Sequence, residues 1–325
     1  MPANLPPQYF DAEKRLRQAK TPEEKVEALE AMIAIMPKHK GTDRLHGDLR
    51  RKIAKFTEEA EKRAATSRAS FYIRKEGAGQ VALVGLPNVG KSQLLAAVTD
   101  ALPEIAEYPF TTKAPNIGMI KFENIQIQLV DTPPVTGRDS RAWLNNIARN
   151  ADLIAIVVDL GNNPVEQVGA TLQELENIGI VPASTNVTEA TVGKRQRKML
   201  IIANKSDMEN SGASAKRLDS QYGAQFPVIS VSASEGNNLE MLKSGIFKAL
   251  EIIRIHTKSP GEKVDLTDPV ILKRDSTVKE AAEEIHKDFK SKMKYAVVWG
   301  SGKFDGQRVG QEHVLQDDDI IELHI

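Results

Sequence analysis

Gly85-Leu86-Pro87-Asn88-Val89-Gly90-Lys91-Ser92 sets two glycines either side of four residues and follows them at once with Lys and Ser. An apolar run, Val81 to Val84, leads in, and Leu94, Leu95 and Val98 continue from it at helical spacing. A strand turning through glycine into a helix presents free backbone N–H groups to an anion, and glycine permits an approach that a Cβ would block. The spacing is that of a phosphate-binding loop. On this reading Gly85, Pro87, Asn88, Val89, Gly90 and Gln93 line the phosphates. Lys91 bridges the β- and γ-phosphates of a nucleoside triphosphate, and Ser92 is a Mg²⁺ ligand.

Working outward, apolar strands are expected at Gln80–Gly85, Ile117–Phe122, Ile125–Asp131, Leu153–Asp159, Met199–Asn204 and Pro227–Ser230. Helices fall between them near Lys91–Thr99, Arg141–Asn150, Val165–Ile178 and Leu239–Arg254. The alternation predicts an α/β domain with a mostly parallel sheet covered on both faces, binding ligands at the carboxyl ends of its strands.

Three strand ends carry further polar residues. Asn204-Lys205-Ser206-Asp207 follows the strand Met199 to Ala203, where the Asp207 carboxylate can accept two hydrogen bonds from guanine N1 and N2. Adenine would leave that carboxylate desolvated and unpaired, so the base expected is guanine. As an isolated tetrapeptide it is a common turn, and its place after a strand downstream of the phosphate loop favours the base-binding role. Ser232-Ala233-Ser234, after Val228 to Ser230, is expected to complete the base pocket with backbone N–H groups.

Asp131 ends the strand Ile125 to Val130 and precedes Thr132, Pro133 and Pro134, a position suited to a carboxylate supporting Mg²⁺. Thr111 and Thr112 lie in an extended stretch, Tyr108 to Pro115, and Thr112 is the hydroxyl expected to reach Mg²⁺ when a γ-phosphate is present.

The chain has 325 residues, enough for more than one core, and 44 basic residues balance 44 acidic ones, so any nucleic-acid contact must be local. It has no cysteine, which excludes disulfides and thiolate chemistry. The opening, Met1 to Tyr9, does not read as a signal peptide, and no apolar run nears the ~20 residues needed to cross a bilayer, so a cytoplasmic location without membrane partners is expected.

Before Gly77 the sequence predicts two helices, the first starting at Thr21-Pro22-Glu23-Glu24 and the second running through Leu45, Leu49, Ile53 and Phe56, with Met36, Pro37 and Gly41 between them. Pro182 to Arg197 reads as an exposed loop. Beyond Gly261, strands near Val270–Leu272, Tyr295–Trp299 and Ile320–His324 with a helix from Val278 to Phe289 predict a small α+β module.

With these elements in order, the chain resembles the translation-factor-related GTPases, and within them the Obg and developmentally regulated GTP-binding protein group. Tyr108-Pro109-Phe110-Thr111-Thr112 resembles that group's switch I, whose second Thr is its magnesium ligand. Tyr295-Ala296-Val297-Val298-Trp299-Gly300 and Gln307-Arg308-Val309-Gly310 resemble its TGS domain, a ubiquitin-like β-grasp module. The resemblance implies an N-terminal helical hairpin over residues 1–77, a Ras-like phosphate-loop GTPase domain over 78–252 and a TGS domain over 253–325. It implies GTP and GDP as ligands, Mg²⁺ as cofactor, association with the ribosome or RNA, a regulatory protein partner, and no use of DNA.

The departures bear on mechanism. At the place of the family's switch II glycine stands Pro134, which has no N–H to offer a γ-phosphate, and Val135 follows where Ras-like enzymes carry a water-orienting Gln. Slow hydrolysis is expected, with Lys91, Thr112 and Asn88 as the catalytic residues. Asn88 resembles the asparagine that binds K⁺ in potassium-stimulated relatives. The family's inserted subdomain and Gly-rich switch II are reduced here to Gly179–Lys198 and Thr136–Arg141. Basic residues that could meet RNA are Lys194, Arg195, Arg197 and Lys198, and Lys287, Lys290, Lys292 and Lys294, although such runs are more often a solvated face.

Overall fold

A computed structural model describes residues 6–19, 21–36, 42–70, 73–99, 104–105, 115–135, 138–185, 193–286 and 293–324, and the chain divides into two compact units, Met1–Tyr72 and Ile73–Ile325. Among its described residues the first unit holds three helices, α1 (Pro7–Gln18), α2 (Pro22–Ile35) and α3 (Asp43–Ser70). The capping box at the start of α2 is formed: the Glu24 N–H donates to Thr21 Oγ1 at 3.2 Å, and the Thr21 N–H donates to Glu24 Oε2 at 3.3 Å. Tyr9 and Ala12 of α1 pack with Leu29, Met32, Met36 and Leu49. The expected helical hairpin is therefore a three-helix unit. The sequence concealed α1 because its cap residue is Pro6, which makes no side-chain cap, and prolines crowd the residues before Tyr9. Pro37 and Gly41 lie outside the described residues.

The second unit begins with an eight-stranded sheet in the order β2 (Glu104–Ile105), β3 (Asn116–Phe122), β4 (Ile125–Asp131), β1 (Gln80–Val84), β5 (Leu153–Asp159), β7 (Arg195–Asn204) and β6 (Ile180–Pro182), with β8 (Val228–Ser230) also paired to β7. β3 runs antiparallel to β2 and β4, and the remaining pairings are parallel. β1 is wholly buried and β5 is buried over Leu153 to Val158, as a parallel sheet covered on both faces requires. α4 (Lys91–Val98), α5 (Arg138–Asn150), α6 (Pro164–Asn177), α7 (Ser211–Tyr222) and α8 (Leu239–Leu250) provide the cover. The register sets Leu83 beside Asp131, Asp159 beside Asn204 and Ala203 beside Ser230, so the ends that carry polar residues finish at one level.

Three expectations change here. The helix expected to run from Leu239 to Arg254 stops at Leu250, because Glu251 takes a left-handed conformation with φ of 53°, and β9 (Ile252–Thr257) follows. Leu242, Ile246, Leu250 and Ile253 continue one helical period across that break, which hid it. Helix α7 was not expected, since it buries only Leu218 and carries no apolar stripe. Within the expected loop Pro182–Arg197, Arg195 to Arg197 begin β7 and pair with β6.

β9 opens a five-stranded sheet in the order β10 (Val270–Lys273), β9, β13 (Asp319–His324), β11 (Tyr295–Trp299) and β12 (Gln307–Val309), with α9 (Val278–Ile285) packed through Val278, Ala281 and Ala282. At the end of β11, Gly300 has φ of 119°, and a Cβ there would lie 2.4 Å from Asp319 Oδ1. That approach lets buried Asp319 accept from the Ser301 N–H at 2.6 Å, the Ser301 hydroxyl at 2.5 Å and the Gln316 N–H at 2.8 Å.

One buried arginine ties the two sheets of this unit together. Arg254, 4% exposed, donates to both carboxylate oxygens of Asp317, at 3.1 and 2.8 Å, to Asp318 at 3.0 Å, and to Glu123 and Asn124 in the β3–β4 turn. Its guanidinium sits 5.1 Å over Phe247, which stacks on Phe122. The carboxylates, Asp317 first, raise its pKa further. Arg254→Ala would leave them without their cation, but Glu123 and Asp318 are 59% exposed and water compensates in part. The expected loss is roughly 1–3 kcal/mol, read as a lower thermal midpoint of the intact chain. An unchanged midpoint would refute the clamp.

Candidate functional site

The phosphate loop leaves β1 at Gly85 and enters α4 at Lys91. Its course depends on two glycines. A Cβ on Gly85 would meet the Val157 carbonyl at 2.4 Å, and Gly90, with φ of 92°, has Asn204 Nδ2 2.4 Å from where a Cβ would stand. Lys91 is 7% exposed and its ammonium donates to the Gly85 and Leu86 carbonyls, each at 3.0 Å, so it lies within the curl of the loop. Burial pushes its pKa down, with Asp131 pulling the other way.

Ser92, in the first turn of α4, donates to Asp131 Oδ2 at 2.5 Å. Asp131 is 7% exposed and its Oδ1 is buried without a hydrogen-bond partner. Burial pushes its pKa up, against the opposing pull of Ser92, Lys91 and Asn116. A buried carboxylate with one oxygen free, touching a serine hydroxyl beside an ammonium, is the donor set a hard cation takes up together with phosphate oxygens. Among the described residues no cluster of three His, Cys, Asp or Glu could hold a metal.

The base end is tied directly to the phosphate end. Asn204, buried at the end of β7, donates to the Val89 carbonyl at 3.0 Å and accepts from the Ala233 N–H at 3.1 Å. Lys205, with φ of 63°, turns back so that its ammonium reaches the Asn88 carbonyl at 3.1 Å and Asp159 at 2.6 Å. Asp207 is exposed, and its Oδ1 accepts from Ser232 at 2.5 Å and Ser234 at 3.3 Å, which aims the carboxylate. The Ser232 hydroxyl is the main cause that lowers its pKa.

The backbone N–H groups expected to face the base are in part engaged within the protein. The Ser232 N–H donates to the Asn237 carbonyl and the Ala233 N–H to Asn204, while the Ser232 and Ser234 hydroxyls go to Asp207. Asn88 is exposed at φ of 64°. Phe110, Thr111 and Thr112 lie outside the described residues. Asp159 escaped the sequence analysis: the apolar strand Leu153–Val158 ends on an aspartate just as Ile125–Val130 does, but nothing in the strand says what lies beside that carboxylate.

Fold and site together define a phosphate-loop GTP-binding protein with a C-terminal β-grasp module. A family profile described as 50S ribosome-binding GTPase matches residues 80–205, and one described as TGS domain matches residues 253–325. A GTP-binding protein of Methanocaldococcus jannaschii is 30% identical over 93% of this chain and 93% of its own length. Developmentally-regulated GTP-binding protein 2 of Mus musculus is 28% identical over 92% of this chain and 98% of its own. Ribosome-interacting GTPase 1 of Saccharomyces cerevisiae is 27% identical over the same shares, 92% and 98%.

The chain belongs to the developmentally regulated GTP-binding protein family of GTPases, and its G domain binds GTP and GDP. The alignment to the archaeal relative is 367 residues long against 325 in this chain, so that relative carries stretches without a counterpart here. The Schizosaccharomyces pombe YchF GTPase shares the fold over 77% of this chain and 99% of its own, with a TM-score of 0.51 at 15% identity.

Proposed function

We propose that this GTPase requires Mg²⁺, hydrolyses GTP slowly to GDP and phosphate, and uses the cycle as a conformational switch at the ribosome in the cytoplasm. The observation that carries the first part is the Lys91, Ser92 and Asp131 cluster, held one hydrogen bond from the loop that Asn204 and Lys205 anchor. Ser92, Asp131 and Thr112 would hold the metal, which neutralises charge on the β- and γ-phosphates when bound. Lys91 supplies a buried positive charge aimed at the same oxygens, and the loop N–H groups orient them. Asp207 selects guanine.

Slow turnover rests on two residues. Pro134 has no N–H to donate to a γ-phosphate, and Val135 is buried, 1% exposed, where a side chain able to orient water would be needed. The proposed catalytic part of Asn88 is to hold K⁺ near the phosphates. The same two residues favour a second reading, an adaptor that binds GTP without turning it over. Single-turnover hydrolysis in K⁺ and then in Na⁺ buffer separates them: phosphate release faster in K⁺ is expected, and none in either removes the enzymatic reading. The ribosomal role draws on the names of the matching profile and of the yeast relative. Cosedimentation with ribosomes in the presence of a non-hydrolysable GTP analogue tests it, and failure to pellet with or without the analogue would count against it. A regulatory protein partner belongs to the same reading, with no part for DNA or membrane. Among the described residues no helix is long and apolar enough to cross a bilayer.

Metal affinity is expected to depend on pH with a definite sign. Burial raises the pKa of Asp131, and a metal needs the ionised form, so Mg²⁺ affinity rises as pH rises through that pKa and levels off above it. Mg²⁺ titration of the retention of a fluorescent GDP analogue, from acid to neutral pH, reads this directly. Asp131→Asn should flatten the profile, and a wild-type affinity constant across the acid range would sink the assignment.

A further inference from the structure

Consecutive residues after β7 hold consecutive carbonyls of the phosphate loop: Asn204 donates to Val89 and Lys205 to Asn88. The two holds are built differently. Asn204 is a short, buried side chain, and its other end is fixed by the Ala233 N–H. Lys205 reaches its carbonyl with an ammonium on a flexible four-carbon stem, whose freedom has to be taken away by a second contact. That contact is Asp159, whose Oδ2 accepts from the Lys205 ammonium at 2.6 Å.

Asp159 is well mounted for the task. It closes β5, and the pairing of β5 with β7 sets it beside Asn204, one residue from Lys205. Its N–H donates to Gln167 Oε1 at 2.9 Å, and Gln167 Nε2 donates back to its carbonyl at 3.2 Å, with Gln167 itself buried on α6. The remaining carboxylate oxygen, Oδ1, accepts from the Gly161 N–H at 2.8 Å. Backbone and side chain are thus both fixed before Lys205 arrives. Of the two partners of that ammonium, the carboxylate carries a charge and the Asn88 carbonyl does not, so Asp159 decides where the ammonium sits. The Asp159 side chain is 17% exposed and that of Lys205 30%, so water screens the pair only in part.

We propose that Asp159 is a positioning residue for the nucleotide: it holds the Lys205 ammonium against the Asn88 carbonyl, fixes the phosphate loop at that point, and so sets how long GDP or GTP stays bound. The loop there takes a left-handed turn, with φ of 64° at Asn88, and the carbonyl that the ammonium grips follows that turn directly. The role needs no contact between Asp159 and the ligand. The inference rests on the binding of GTP and GDP and is independent of whether GTP is hydrolysed.

The test is a double-mutant cycle on the full chain, read as the rate at which a fluorescent GDP analogue leaves in the presence of Mg²⁺. Asp159→Asn keeps the size of the side chain and an acceptor for the Gly161 N–H, but it removes the charge and turns an amide N–H₂ toward the ammonium. Lys205→Met removes the ammonium and keeps an unbranched stem. Each single variant should release the analogue about tenfold faster than wild type, and the double variant should stay within about twofold of Lys205→Met, since Asp159 acts only through that residue. A merely structural role would speed release in the Lys205→Met background as much as in the wild type. Wild-type release by Asp159→Asn, or a further acceleration beyond twofold in the double variant, overturns the proposal. If Asp159→Asn does not fold, Asp159→Ser, whose hydroxyl can accept from the Gly161 N–H, takes its place in the cycle under the same criteria. Wild-type protein that retains no GDP analogue would overturn nucleotide binding itself and this inference with it, whereas retention that Asp159→Asn leaves unaltered overturns this inference alone.

Discussion

Asp207→Ala is expected to lower affinity for GTP and GDP on the order of 10³-fold while leaving the chain folded. Asp207 is exposed; of the groups that touch it, Ser234 is exposed to water, and buried Ser232 keeps Ser234 and the Glu235 N–H as hydrogen-bond partners when the carboxylate is removed. On the proposed assignment its two oxygens meet N1 and N2 of guanine at once, so the loss should fall on base recognition and leave the phosphate contacts in place. Residual binding should therefore no longer distinguish guanine from adenine nucleotides. Calorimetry with GTP and ATP in the presence of Mg²⁺ measures both effects. If the variant binds GTP within a few-fold of wild type, guanine recognition lies elsewhere; if the wild type already binds ATP as well, the phosphate loop serves a different nucleotide.

Gly90→Ala should weaken nucleotide binding by a different route. The backbone there has φ of 92°, where an L-residue is strained by roughly 1–2 kcal/mol, and the added methyl would stand 2.4 Å from Asn204 Nδ2. Asn204 cannot yield without breaking its bonds to the Val89 carbonyl and the Ala233 N–H, the tie between the phosphate end and the base end. Affinity for the fluorescent GDP analogue should fall by at least about a hundredfold, together with a small drop in thermal midpoint. Gly212→Ala, in α7 with open space around its Cβ position, is the matched control and should leave binding unchanged without lowering the midpoint. Near-normal binding by Gly90→Ala would mean that the loop tolerates a course other than the one described.

Much of the nucleotide site was legible because its signals are local. The phosphate loop needs its glycines, lysine and serine at fixed spacing, and β1 and α4 on either side show their own periodicities. Asn204 to Asp207 could be assigned because an apolar strand runs directly into them. Asp159 was not singled out, since nothing in Leu153 to Asp159 says which strand lies beside it; only the pairing of Asp159 with Asn204 brings its carboxylate to Lys205. The helix stop at Glu251 was equally obscure, because a left-handed glutamate carries no sequence mark and the apolar period runs on through it.

The basic residues show the same division on a larger scale. Lys194, Arg195, Arg197 and Lys198 read as a short charged run in a loop, which in most chains is a solvated face. The fold makes Arg195 to Lys198 the start of a strand, sets the Arg149 carbonyl under the two guanidiniums, and brings Lys75 and Lys273 to one cleft with Arg197 and Lys198 from far along the chain. Arg254 is a parallel case: one cation in an apolar strand, uninformative until the β3–β4 turn and Asp317 close around it.

What the order of residues determined alone was the phosphate loop, the polar segment after β7 proposed to select guanine, the α/β alternation and the TGS strings, since each depends on neighbours within a few positions. Tertiary structure decided which distant charges meet, which strand ends lie level and which carboxylate is left half-paired. Those depend on sheet order and register, which arise from the packing of apolar faces between segments far apart in the chain and leave no mark on any one of them.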